Sequence, residues 1–225
     1  MTTASVVERS QAPRLGAWPR AGLATVIVLG PISIGLLRAI LPYSDADDPT
    51  TIATAISQHR TAEAAVGWLA LLAFLTLVPG AIAVGQLAAR RSPRLGTWGL
   101  ALTTAGYASL AVIAAVDFGA LAAVKAGIAP AEAAALVEGM NGSPVAVAGT
   151  VIYVVGQVAG LILLGVALLR AHAIPPWAGW AIIVSAPLHL IFAVAVPAAV
   201  PMALAWFLTA AGFAMAARVL TRPAD

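Results

Sequence analysis

The chain contains no cysteine. Disulfides, thiolate nucleophiles and Cys-bound zinc or iron–sulfur centres are therefore excluded. Charge is scarce too: Asp, Glu, Lys and Arg make up 9% of 225 residues, against about a quarter in a soluble domain. That is too little polar material to coat a globular surface. Lysine occurs once, at Lys125, and the net charge of +3 is too small to argue for a nucleic-acid partner. No GxxxxGK[ST], HExxH, GxSxG or EF-hand loop is present, so the common sequence-local enzyme signatures are missing. No metal cluster and no cofactor motif is expected.

What fills the chain is apolar. Hydrophobic residues make up 61% of it and the mean hydropathy is +0.97. Several apolar runs exceed the roughly 18–20 residues needed to cross a bilayer. The expected fold class is all-α, a polytopic membrane protein with the lipid bilayer as its first partner. Six spans are predicted at about 21–43, 64–89, 96–124, 144–169, 177–196 and 201–218. They form a transmembrane domain over 21–218, between cytoplasmic tails at 1–20 and 219–225.

Charge sorts by side. Arg9, Arg14, Arg20, Arg90, Arg91, Arg94, Arg170, Arg218 and Arg222 fall at one set of helix ends, nine of the twelve Lys and Arg. Asp45, Asp47, Asp48, Glu63, Asp117, Glu132 and Glu138 fall at or beyond the other. The positive-inside rule then places both termini in the cytoplasm and the protein in the cytoplasmic membrane. Trp18, Trp98 and Trp177 beside the basic ends, and Tyr43 and Trp68 on the acidic side, read as an aromatic belt. No small-x-small cleavage signature follows the first run, which reads as a retained helix.

Similar phrases recur. "WPRAGLATVIVLGP", "GTWGLALTTAGY" and "PPWAGWAIIVSAP" open the first, third and fifth spans. The others close on "GQLAAR", "GVALLR" and "GFAMAAR", at Arg90, Arg170 and Arg218. This pattern predicts three parallel helical hairpins, an internal repeat. In the first outer loop, Asp48 before Pro49 forms an N-cap and N1 pair. In the second, a helix opens at Pro130 and stops at Asn141-Gly142. Both loops are expected to carry a short helix lying on the outer surface. The third connection, "PAAVP", is only a turn.

Small residues allow close packing in lipid. Gly149, Gly156 and Gly160 share one stripe of the fourth span, serving either packing within the chain or a homodimer seam. Pro31, Pro79 and Pro187 lie inside spans, where each removes a backbone hydrogen bond.

Ionisable groups inside apolar runs are the candidate functional residues. At about 1.5 Å per residue, Arg38 lies roughly 24 Å and Asp117 roughly 27 Å from the inner boundary, nearly one level. The two are expected either to satisfy each other as a structural pair or to form a proton, ion or ligand site. His189 lies roughly 15 Å up, near the midplane. With Tyr107 and Trp206 these residues are the candidate ligand or ion pathway. Gln86 and Gln157 read as interhelical hydrogen-bonding positions. "DADD", Asp45 to Asp48, matches the D-x-D-D acid pattern of large soluble terpene cyclases, though an outer-loop cap explains it as well.

The segment "LVPGAIAVGQLAARRSPRLGTWGLAL" (77–102) resembles a stretch common in small, uncharacterised multi-pass membrane proteins of high-GC bacteria. The arginine- and alanine-rich composition agrees with such a source. The resemblance implies a six-helix fold and transfers no activity. Two functions stay open. One is a non-enzymatic membrane protein that binds or passes a small hydrophobic molecule or ion, or serves an assembly. The other is a membrane enzyme on a lipid or prenyl substrate, similar in size and helical character to small actinobacterial membrane terpene cyclases. Such an enzyme needs a carboxylic acid in a dry pocket, with Asp117 the first candidate and Glu63 or Glu138 the next.

Overall fold

The computed structural model describes residues 17–44, 47–196 and 198–222. Arg9, Arg14 and Asp45 lie outside the described residues, as does the side chain of Trp18. The described chain is all-helical: α1 (Ala17–Ile40), α2 (Pro49–Gln58), α3 (Arg60–Arg91), α4 (Pro93–Lys125), α5 (Pro130–Asn141), α6 (Pro144–Arg170), α7 (Pro176–Leu190) and α8 (Ala199–Thr221). Six segments are long and apolar enough to cross a membrane: α1, α3, α4, α6, α8, and α7 taken together with the residues that follow it to Ala195.

Proline sets most of the helix starts. Pro49, Pro93, Pro130, Pro144 and Pro176 each occupy the first turn of a helix, where the missing N–H costs nothing. Asp48 caps α2, accepting from the backbone N–H groups of Thr50 at 3.0 Å and Thr51 at 3.1 Å. Asp47 accepts from the Ser44 N–H at 2.7 Å, so two acids of the DADD run serve the turn before α2. Gly127 closes α4 with a φ of +82°, a conformation that disfavours any side chain.

The long helices form a closed ring. α1 packs on α3, α3 on α4, α4 on α6, α6 on α7, α7 on α8, and α8 returns to α1. Glycines bring neighbouring backbones together. A Cβ on Gly106 would lie 2.7 Å from the Gln157 nitrogen, and one on Gly30 would lie 2.8 Å from the Leu77 nitrogen. The stripe of Gly149, Gly156 and Gly160 is spent on this kind of contact, facing Val112, Gly106 and Thr103 of α4. Ile27, Leu77, Val84, Leu164, Ile182 and Phe213, all buried, fill the half of the ring nearest the arginine-bearing ends.

Three boundaries differ from the sequence expectation in ways that matter. α1 ends at Ile40, ahead of Pro42, which lets Tyr43 turn inward and become buried. It is not part of an exposed belt, whereas Trp68, Trp98, Trp177 and Trp180 are exposed. α3 begins four residues earlier than expected, carrying Glu63 into its first turn. α7 passes at Leu190 into a π-helical turn, Ile191–Ala195, three residues after Pro187. An in-helix proline leaves a carbonyl unbonded, and a widened turn is one way the backbone adjusts.

The short helices do more than lie along the surface. α2 and α5 pack on each other and on the end of α4. Ala53, Ile56, Ala133, Ala134 and Val137 bury against Val116, Ala120 and Val124, forming a second apolar cluster. Together α2 and α5 make a roof over one part of the ring.

Candidate functional site

Under that roof the ring is hollow. A chamber of about 310 Å³ is enclosed by α1, α4, α6, α7 and α8, with Ile52 of α2 and Val137 and Asn141 of α5 in its lining. α6 and α4 each supply a stripe at helical spacing. From α6 come Thr150, Tyr153, Val154, Gln157 and Val158; from α4, Leu110, Ile113, Val116, Asp117 and Ala120. His189, Ala193 and Val194 extend from α7 through the π turn, Met202 and Trp206 come from α8, and Arg38 from α1.

Polar groups converge on an apolar enclosure, the usual make-up of a small-molecule site. The Gln157 amide lies 2.6 Å from His189 Nδ1. With the amide donating, Nδ1 is an acceptor and the imidazole carries its proton on Nε2. The imidazole stacks on Trp206, with centroids 4.4 Å apart, and Tyr107 lies behind Trp206 at 6.1 Å. Tyr107 is buried and its hydroxyl has no hydrogen-bond partner among the described residues.

A narrow arm of about 40 Å³ adjoins the chamber between α1, α3 and α4. Arg38, Leu110, Ile113, Asp117 and Tyr153 border both spaces. The arm ends at Glu63, which is only 2% exposed. Tyr43 donates to Glu63 Oε1 at 3.4 Å, a long bond, and Oε2 has no hydrogen-bond partner among the described residues. On the other flank, a cleft of about 200 Å³ runs from Arg38 and Tyr43 between the end of α1 and the α7–α8 connection. Among the described residues no short helix covers that connection, so the roof is open there.

Of the residues singled out from the sequence, Arg38, Asp117, His189 and Trp206 therefore line one chamber, and Glu63 lines its arm. Arg38 and Asp117, both half-buried, have interaction partners within the chain. Tyr107 stands one layer behind the wall, and Glu138 is exposed on α5, away from the chamber. Tyr43, Asn141 and Met202 belong to the site without having been singled out for it. One signal was available: Thr150, Tyr153 and Gln157 form a polar stripe at i, i+3 and i+7 in an otherwise apolar span.

No protein-family model, curated protein or solved structure matches the chain.

Proposed function

We propose that this is an integral membrane protein that binds a small, largely hydrophobic molecule in the chamber beneath α2 and α5. One observation carries the reading: a partly enclosed space of about 310 Å³ with apolar walls and a few converging polar groups, at the small end of ligand-site sizes. The arginine-bearing helix ends face the cytoplasm, as do both termini, and the roof faces outward. The open flank beside Arg38 serves as the way in.

The test is chemical. Protein purified in mild detergent should release a stoichiometric organic molecule on solvent extraction, detected by mass spectrometry. A Val154→Trp variant, which fills the chamber from α6, should elute as the same monodisperse species and release none. Equal content in the two proteins, or no bound molecule in either, would overturn the reading.

A second reading is favoured by one feature, the buried carboxyl of Glu63 in an apolar arm. A protonated acid there could transfer its proton to an alkene or epoxide, starting the isomerisation or cyclisation of a prenyl chain. Proteoliposomes given a prenylated substrate would then form a cyclised product, lost in Glu63→Gln. An unchanged substrate after prolonged incubation counts against it.

A further inference from the structure

The arm at Glu63 is chemically unlike the rest of the chamber. Its carboxyl is almost completely buried, has one long hydrogen bond from Tyr43, and keeps Oε2 unpartnered among the described residues. A carboxylate removed from water is costly unless a positive group or a proton neutralises it. Arg60, at the start of the same helix, and His59, which precedes it, are both exposed. Across the arm, α1 supplies Arg38 and α4 supplies Asp117, while α6 contributes only the phenol of Tyr153. Two carboxyls thus stand against one guanidinium.

The balance decides the sign of the ligand. Either a proton on Glu63 or a bound monocation in that proton's place leaves the lining neutral, with Asp117 set against Arg38. A bound anion leaves a net negative charge in either case. His189 does not alter this count, because an imidazole whose Nδ1 accepts from Gln157 is neutral. Size narrows the choice further. At roughly 10–15 Å³ of cavity per water, about 40 Å³ holds about three waters. That suits a primary ammonium group and crowds a quaternary one. The adjoining chamber, walled by Leu110, Ile113, Met202 and Trp206, takes the apolar remainder.

We infer that the ligand is an amphiphilic primary amine, bound as its ammonium form with the head against Glu63 and the hydrocarbon in the main chamber. This inference rests on the chamber being a ligand site, and adds the charge and shape of what enters it. The ammonium donates to the Oε2 that otherwise lacks a partner. Asp117 and Arg38 border the passage between head and tail.

Four probes with one hydrocarbon chain separate the cases: decylamine, decyltrimethylammonium, decanol and decanoate. Binding is measured by saturation-transfer NMR on protein in nanodiscs, with empty nanodiscs subtracted. Decylamine should bind at least tenfold more tightly than decanoate and several-fold more tightly than the trimethyl compound. In Glu63→Gln that preference should collapse while decanol binding persists, which also reports that the chamber is intact. Glu63→Asp should retain a partial preference. Equal or tighter binding of decanoate overturns the inference, and so does a preference unchanged in Glu63→Gln. If none of the four binds above the empty-disc background, the chamber reading itself fails.

Discussion

Gln157 and His189 meet at 2.6 Å across the wall between α6 and α7, although 32 residues separate them in the chain. The stack of His189 on Trp206 continues the link to α8. Three helices are thereby tied at the level of the chamber by side chains that are each at least 96% buried.

This link can be measured. His189→Phe preserves the stack and orphans the Gln157 amide; Gln157→Leu orphans Nδ1. Each should lower unfolding free energy by about 1–3 kcal/mol, the cost of a buried polar group without its partner. The double variant should lose less than the sum, with a coupling of about 0.6–1.7 kcal/mol, as for hydrogen bonds between membrane helices. Equilibrium unfolding in mixed micelles reads both quantities. Strict additivity would mean the contact contributes nothing.

The seam between α4 and α6 gives a second expectation. A methyl at Gly156 would come within 2.7 Å of Gly106 Cα, and backbone cannot yield as a flexible side chain can. Gly156→Ala should destabilise by about 1–3 kcal/mol. Gly139→Ala, on α5 with nothing within 4 Å, should be neutral or stabilise by up to about 1 kcal/mol. Melting temperatures in one detergent decide it. Equal effects at the two sites would count against the tight crossing.

The cap of α2 should be sensitive to acid. The Thr51 hydroxyl, then the backbone N–H groups of Thr51 and Thr50, hold the Asp48 carboxyl below the ordinary aspartate value. A depressed folded-state value means the contribution is fully present above about pH 3.9. It is lost as pH falls from there through the folded value. Amide protection at Ile52 and Ala53, corrected for intrinsic exchange, should drop over that range. An Asp48→Asn variant, with a cap that cannot titrate, should show no such drop.

Orientation can be tested because the chain has no native cysteine. Ser92→Cys, between α3 and α4, should be shielded from a membrane-impermeant maleimide in intact cells and react after lysis. Gly139→Cys, on α5, should react in intact cells. The reverse pattern would invert the proposed topology.

Much of this architecture was legible in the sequence, and the physics explains the limits. Long apolar runs mark helices that can span, and the Pro49 and Pro130 starts mark α2 and α5. Pairing was harder to read. A helix between lipid and protein is apolar on both faces, so periodicity says little about which side turns inward. Gly156 and Gly160 show a close approach without naming α4 as the partner. Tyr43 carries no local sign that Pro42 will turn it toward Glu63. Asp117 and Arg38 could be matched by depth, whereas Gln157 finds His189 only once α6 and α7 are placed side by side.

The uneven roof has a kinetic consequence. If the chamber holds the proposed ligand, a ring shuttered on every side would release it only by partial unfolding, whereas the gap above the α7–α8 connection would let exchange proceed in the folded state. Grafting a copy of the α2 segment into that connection should slow departure far more than it alters equilibrium occupancy, turning a revolving door into a locked one.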